Sequence, residues 1–165
     1  MRIDYNKYDV IIGIDTGKHT GLAIYKKNGK LQLQTKPIHV ALFVVADICN
    51  KHSKVLVRFE DARQRKWYGG NAYAKQQGAG SIKRDAVIWE DFLNDLKKEC
   101  TLKGRILDFE AVAPKNNLTK ISPQYFKFLT GCEIKASEHA RDAAGLIIRT
   151  GVIKVQDGGR LSIKA

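Results

Sequence analysis

The sequence predicts an α/β protein built on a five-stranded mixed sheet, an antiparallel meander followed by parallel strands, flanked by helices. Three observations predict it. Apolar, β-branched runs fill the segment from Asp9 to Lys36, and the last two are joined by Lys27-Asn28-Gly29-Lys30, a strong hairpin signal. Beyond it, helical and strand periodicities alternate. The chain has 165 residues, 44% of them hydrophobic, with no repeat and no low-complexity stretch. That suits one globular domain spanning 1–165, with its core at about 9–151 and a C-terminal tail over 152–165.

The elements follow in order. Residues 9–16 form a buried strand, and residues 20–36 give two strands, one ending near Tyr25 and the next starting near Leu31. IHVALFVVADICNKH (38–52) runs for about four turns, too long for a strand, and reads as a helix. SKVLVRFED (53–61) is a buried strand ending in acids, and the glycine-rich, basic stretch 62–81 reads as a loop. Ser81 then caps a helix whose Ile82, Ala86, Trp89, Leu93 and Leu96 fall on one face. GRILDFEAVAP (104–114) is a strand ended by Pro114. A short helix has Pro123 in its first turn and Gly131 as its stop, and a last helix is capped by Ser137 and closed by Gly151. The tail forms a short hairpin or an arm.

Charge narrows the function. Lys and Arg number 29 against 17 Asp and Glu, a net charge of +12. Such an excess points to a polyanionic partner, and no basic amphipathic helix with an exposed apolar face favours lipid. No apolar run approaches the length of a membrane span, and the polar N-terminus lacks a signal-peptide core, so a cytoplasmic protein is expected. Cys49, Cys100 and Cys132 are widely spaced and include no CxxC pair, which excludes a zinc knuckle and a disulfide framework. Walker A, GxGxxG, HExxH and GxSxG motifs are absent. Gly78-Ala79-Gly80-Ser81 before a helix is a weak phosphate-cradle signal.

Carboxylates stand where elements end. Asp15 ends the first strand, Glu60 and Asp61 end the fourth, and His139 and Asp142 share a face of the last helix. Each has a structural use. Asp15 caps a turn, Glu60 or Asp61 pairs with Arg58, Arg63 or Arg65, His139 packs, and Asp142 pairs with Arg141 or Arg149. Jointly, and in so basic a chain, they point to hard divalent cations bridging protein to phosphate.

These residues carry a resemblance. IIGIDTGKHTGLAIY (11–25) resembles the first hairpin of RNase H-like nucleases, especially RuvC-type Holliday junction resolvases. VLVRFED resembles the strand that ends in a catalytic Glu, and SEHARDAAGLII resembles the last helix, with H/D-x-x-D-A. QGAGSIKRDAVIWEDFL resembles the entry to the long helix and VAPKNNLTK the fifth strand with the basic segment after it. The resemblance covers residues 10–150. It implies an RNase H-like fold and a Mg²⁺-dependent endonuclease that resolves branched DNA with symmetric nicks. The implied acidic site is Asp15, Glu60, His139 and Asp142, with Asp61 as the alternative to Glu60. Two Mg²⁺ ions, replaceable by Mn²⁺, would sit about 4 Å apart, bridged by Asp15. A homodimer, paired through the helix 81–100, would supply two sites.

The DNA contacts expected are Arg63, Arg65, Lys66, Lys75, Lys83, Arg84, Lys115 and Lys120 on phosphates, with Trp67, Tyr68 or Tyr73 stacking on unpaired bases. A solvated basic surface and loop anchoring are the plainer readings of the same residues. The long basic loop with Trp67 and Tyr68 looks closer to phage-type relatives, which implies a phage-encoded protein of the bacterial cytoplasm. Gly17 and Gly21 are expected to keep the hairpin tip slim enough for a phosphate to approach. Other RNase H-like nucleases, cutting flaps, RNA or hybrids, and non-catalytic DNA-binding modules remain alternatives.

Overall fold

The computed structural model describes residues 4–27, 29–64, 72–114, 120–130, 134–148, 153–155 and 161–163, with backbone alone at Lys30 and along 72–79, 153–155 and 161–163. Five strands form one mixed sheet in the order β3-β2-β1-β4-β5. They are β1 (Val10–Asp15), β2 (His19–Lys26), β3 (Lys30–Pro37), β4 (Lys54–Glu60) and β5 (Ile106–Val112). β1 pairs antiparallel with β2 and parallel with β4, so the meander passes into parallel strands at the sheet centre. Among the described residues the α-helices are α1 (Ile38–Lys51), α2 (Ala72–Leu102), α3 (Pro123–Thr130) and α4 (Glu138–Ile148). This is the arrangement expected of an RNase H-like α/β fold.

The two faces of the sheet follow from the pleat. Val10, Ile12 and Ile14 of β1 join Val55, Val57 and Phe59 of β4 in one cluster, under Ala41, Val45 and Cys49 of α1 and Trp89, Leu93, Leu96 and Cys100 of α2. The alternate residues Ile11, Ala23, Tyr25 and Leu56 pack on the other face with Phe126 of α3 and Ala143, Ala144 and Ile147 of α4. Cys49 and Cys100 are buried free thiols, and burial pushes the Cys49 thiol up to about 12, so it behaves as an inert hydrophobe.

Two strands meet α4 through glycine. A Cβ on Gly13 would lie 2.1 Å from the Ala143 carbonyl oxygen, and one on Gly21 would lie 2.0 Å from that of His139. Both contacts are backbone on backbone, which no rotamer change relieves. The helix answers with its own small residues, since Ala140, Ala143, Ala144 and Gly145 are all buried.

The sequence reading is corrected at α2. The helix begins at Ala72, nine residues before Ser81, so Ser81 is interior and not a cap. Ala, Lys and Gln at 74–77 favour helix, and two glycines cost too little to stop a helix of 31 residues. The Gly78–Ser81 stretch therefore lies inside α2, where its N–H groups belong to the helix ladder and cradle no phosphate. Ile82 is exposed, not on the packed face. In the tail, β6 (Ile153–Val155) and β7 (Leu161–Ile163) pair antiparallel. Cys132 and Gly151 lie outside the described residues, and no described helix is long and apolar enough to cross a membrane.

The glycine contacts predict opposite outcomes for one substitution. Gly13→Ala and Gly21→Ala should each destabilise by about 2–3 kcal/mol, because α4 must lift off the sheet. Gly80→Ala on α2, where an added Cβ meets nothing within 4 Å, should stabilise by about 0.5–1 kcal/mol. Urea denaturation of the three variants checks this.

Candidate active site

The site forms at the carboxyl end of β1. Asp15 is the last residue of that strand and pairs across the ladder with Gly21. Gly21 lies directly beneath the His139 backbone, so the missing side chain brings the first turn of α4 over Asp15. There His139 Nδ1 lies 2.9 Å from Asp15 Oδ2. Ser137 caps α4, its Oγ accepting from Ala140 N at 3.2 Å, and also meets the Thr35 hydroxyl of β3. The helix start is thus fixed to both outer strands of the meander.

Glu60 ends β4 beside Asp15. Ile14 and Phe59 are in register in the parallel pair, so the residues after them leave the sheet on one common face, the face that carries α4. Thr16 Oγ1 donates to the Glu60 carbonyl at 2.9 Å and clamps the two strand ends together.

Asp142, one turn beyond His139, accepts from the backbone N–H groups of Lys120 and Ile121, each at 2.9 Å. Its carboxylate thereby holds the segment that leads into α3. Lys120 sits there with φ +62°, a left-handed conformation rare for a side-chain-bearing residue. Arg141 does not pair with Asp142. Its guanidinium donates instead to the carbonyls of Ile121 and Ala136.

Asp15 is largely, though not fully, buried. Burial is the largest influence on its carboxyl and pushes the pKa up to about 6. The hydrogen bond and charge of His139 oppose the rise, while the negative charges of Asp142 and Glu138 add to it. An ionised Asp15 accepts a proton held on Nδ1, and in the neutral imidazole that tautomer makes Nε2 an acceptor. Glu138 was not among the residues singled out from sequence. Its signal was its place just after the Ser137 cap, in the first turn of α4.

Asp61 resolves differently from Glu60. Its carboxylate is buried and takes Arg63 Nε at 2.7 Å and Arg63 Nη2 at 2.9 Å, together with Arg63 N at 3.0 Å. Burial pushes its pKa up, but these hydrogen bonds and that of Gln64 outweigh it and hold the carboxyl below its ordinary range. Asp61 is an anchor for the turn after β4.

Arg63, expected on DNA, also spans to Glu90 Oε2 at 2.7 Å and ties that turn to α2. Arg58 pairs with Glu110 at 2.8 Å and donates to the Leu146 carbonyl at 2.7 Å, so it braces α4 from below. Lys83, Arg84 and Lys120 are exposed, and Arg84 lies 3.6 Å from Asp85, a buried acid of α2 that sequence reasoning missed. Arg65, Lys66, Trp67, Tyr68 and Lys115 lie outside the described residues, as do the side chains of Tyr73 and Lys75. Gly21 serves helix docking and not a slim tip. A Cβ on Gly17 would come no closer than 4.0 Å to its nearest neighbour, the His19 carbonyl, so that position is roomy.

Among the described residues no group of three His, Cys, Asp or Glu side chains forms a ready-made metal cage. Mg²⁺ does not require one, since it keeps several waters and uses one or two carboxylates. Hard oxygen donors on Asp15 and Glu60, leaving one face at neighbouring strand ends, fit such an ion. So does the mutual repulsion of Asp15, Glu138 and Asp142.

The elevated Asp15 pKa fixes a sign. Its folded-state value of about 6 lies above the ordinary 3.8, so the folded state holds this proton more tightly. Stability should fall as pH rises through that window. The ionised carboxylate costs on the order of 2–3 kcal/mol above it, at about 1.4 kcal/mol per pKa unit. In metal-free buffer, Asp15→Asn should be more stable than wild type at pH 7.5, with the difference vanishing towards pH 4. Urea midpoints across pH measure it, and a less stable Asn variant at pH 7.5 would contradict it. No protein-family model matches the chain, and no curated protein matches it.

Proposed function

We propose that this chain is a divalent-cation-dependent endonuclease of branched DNA, working as RuvC-type Holliday junction resolvases do. One observation carries the proposal: a desolvated carboxylate, Asp15, stands at the end of a central strand among further acids, in a protein of net charge +12. A basic protein has cations to spare for neutralising Asp15, as Arg63 neutralises Asp61. Asp15 meets an imidazole, His139, in place of a lysine or arginine, and Asp142 and Glu138 add negative charge beside it.

Asp15 and Glu60 would hold the ions from the sheet, and Asp142 from α4. Cations bound there supply the Lewis acidity that activates a water and stabilises the leaving 3′ oxygen. His139, fixed through Nδ1 by Asp15, offers Nε2 either as a ligand or as the group that orients the attacking water. The exposed cations Lys83, Arg84 and Lys120 would receive phosphates, and two copies joined through α2 would place two sites on one junction. Ile82, Val87 and Ile88, all partly exposed on that helix, supply apolar surface for the pairing.

A second reading has its own observation. Both Asp142 oxygens already accept backbone N–H groups, as they would in a binding module whose acids are structural. A labelled four-way junction, a flap, a duplex and an RNA–DNA hybrid, each with Mg²⁺ or Mn²⁺, separate the readings. The nuclease should nick the junction symmetrically, leaving 5′-phosphate and 3′-hydroxyl ends. Asp15→Asn and Glu60→Gln should lower the rate by about 100-fold or more while binding persists. Junction binding with no cleavage supports the module. Preferential cutting of the hybrid overturns the junction specificity, and an Asp15→Asn variant that cuts like wild type overturns the site.

A further inference from the structure

α3 buries one side and exposes two aromatic rings on another. Phe126 and Thr130 face the core, whereas Phe128 is 81% exposed and Tyr125 39%. The two rings, three residues apart, stack at 6.2 Å between centroids with planes 15° from parallel. A phenyl ring as exposed as Phe128 buries little apolar surface for the fold, and two near-parallel rings offer a flat face to a flat partner.

The surroundings name the partner. Lys127 lies between the rings in sequence and Lys120 precedes the helix, both exposed, in a chain of net charge +12. A planar group attached to a polyanion is a nucleobase on its strand. The platform is also joined to the acidic site. Ser122 caps α3 by accepting from Tyr125 N at 3.1 Å. The preceding residues Lys120 and Ile121 are held by the Asp142 carboxylate, and Arg141 grips the Ile121 carbonyl. A single short segment therefore leads from a candidate ligand to the stacked rings.

We infer that Tyr125 and Phe128 form a stacking platform for unpaired bases of the DNA strand engaged at the acidic site. The inference rests on the nucleic-acid reading above and adds a strand-opening contact to it. A four-way or flapped substrate has unpaired or unstacked bases at its branch point, and duplex DNA has none to offer. The platform thus favours branched DNA over intact duplex before any bond is cut.

Fluorescence anisotropy with labelled oligothymidine and a labelled junction, both in EDTA, tests it without relying on cleavage. Phe128 is exposed, so its variants should fold as wild type does. Phe128→Ala should weaken oligothymidine binding about 10-fold, the scale of one lost base stack. Phe128→Trp should restore it and Phe128→Leu should not. Unchanged binding by Phe128→Ala overturns the platform alone. So does full rescue by Leu, which shows apolar contact without stacking. Sedimentation supplies the third overturning result, a wild-type dimer that Phe128→Ala converts to monomer, because a second copy then covers the rings. Wild-type protein that binds neither DNA overturns the underlying reading as well.

Discussion

The backbone contact between α4 and the β1–β2 hairpin governs the rest of this molecule. Helices usually pack on sheets through side chains, which keep the two backbones well apart. Here Gly13 and Gly21 remove those side chains, and the carbonyls of Ala143 and His139 occupy the space that each Cβ would fill. The first turn of α4 drops onto the end of β1 as a result. That descent places His139 Nδ1 2.9 Å from Asp15 Oδ2 and covers most of the carboxylate. A helix held one side chain further out would leave Asp15 solvated, with an ordinary pKa.

The acids of this protein fall into two kinds. Asp61, Glu110 and Asp108 are matched by cations: Arg63, Arg58, and Lys7 with Lys97. Burial pushes the Asp108 carboxyl up, but Tyr8 and the two lysines outweigh it and hold the pKa at about 2. Asp61 and Asp108 therefore stabilise the fold once ionised. Asp15 behaves in the opposite sense, since its ionised form is disfavoured by burial and by the charges of Asp142 and Glu138. A fold that tolerates such a group carries a local cost, which a bound cation would offset under the proposed function.

Much of this was legible in the sequence. The Asn-Gly turn, the period-two runs and the acids at strand ends gave the sheet and the position of Asp15, because short-range pattern decides such features. Four things were not legible. The start of α2 was hidden because glycines at 78 and 80 look like punctuation, whereas a long helix absorbs them. The anchoring role of Asp61 depended on the Arg63 fork, a contact set by tertiary geometry. The role of Gly21 was misread because its reason lies in α4, more than a hundred residues away in sequence. The stacked rings of α3 were likewise invisible, since period alone does not say which aromatic a helix leaves in water.

The central claim is that helix docking prepares Asp15 for a cation, and direct titration of the intact protein with Mn²⁺ at pH 7.5 tests it. The account predicts saturable binding that is lost in Asp15→Asn and weakened in Gly21→Ala, with a thermal midpoint that rises with Mn²⁺ most in the wild type, less in Gly21→Ala and not in Asp15→Asn. Equal Mn²⁺ affinity in wild type and Asp15→Asn would contradict it.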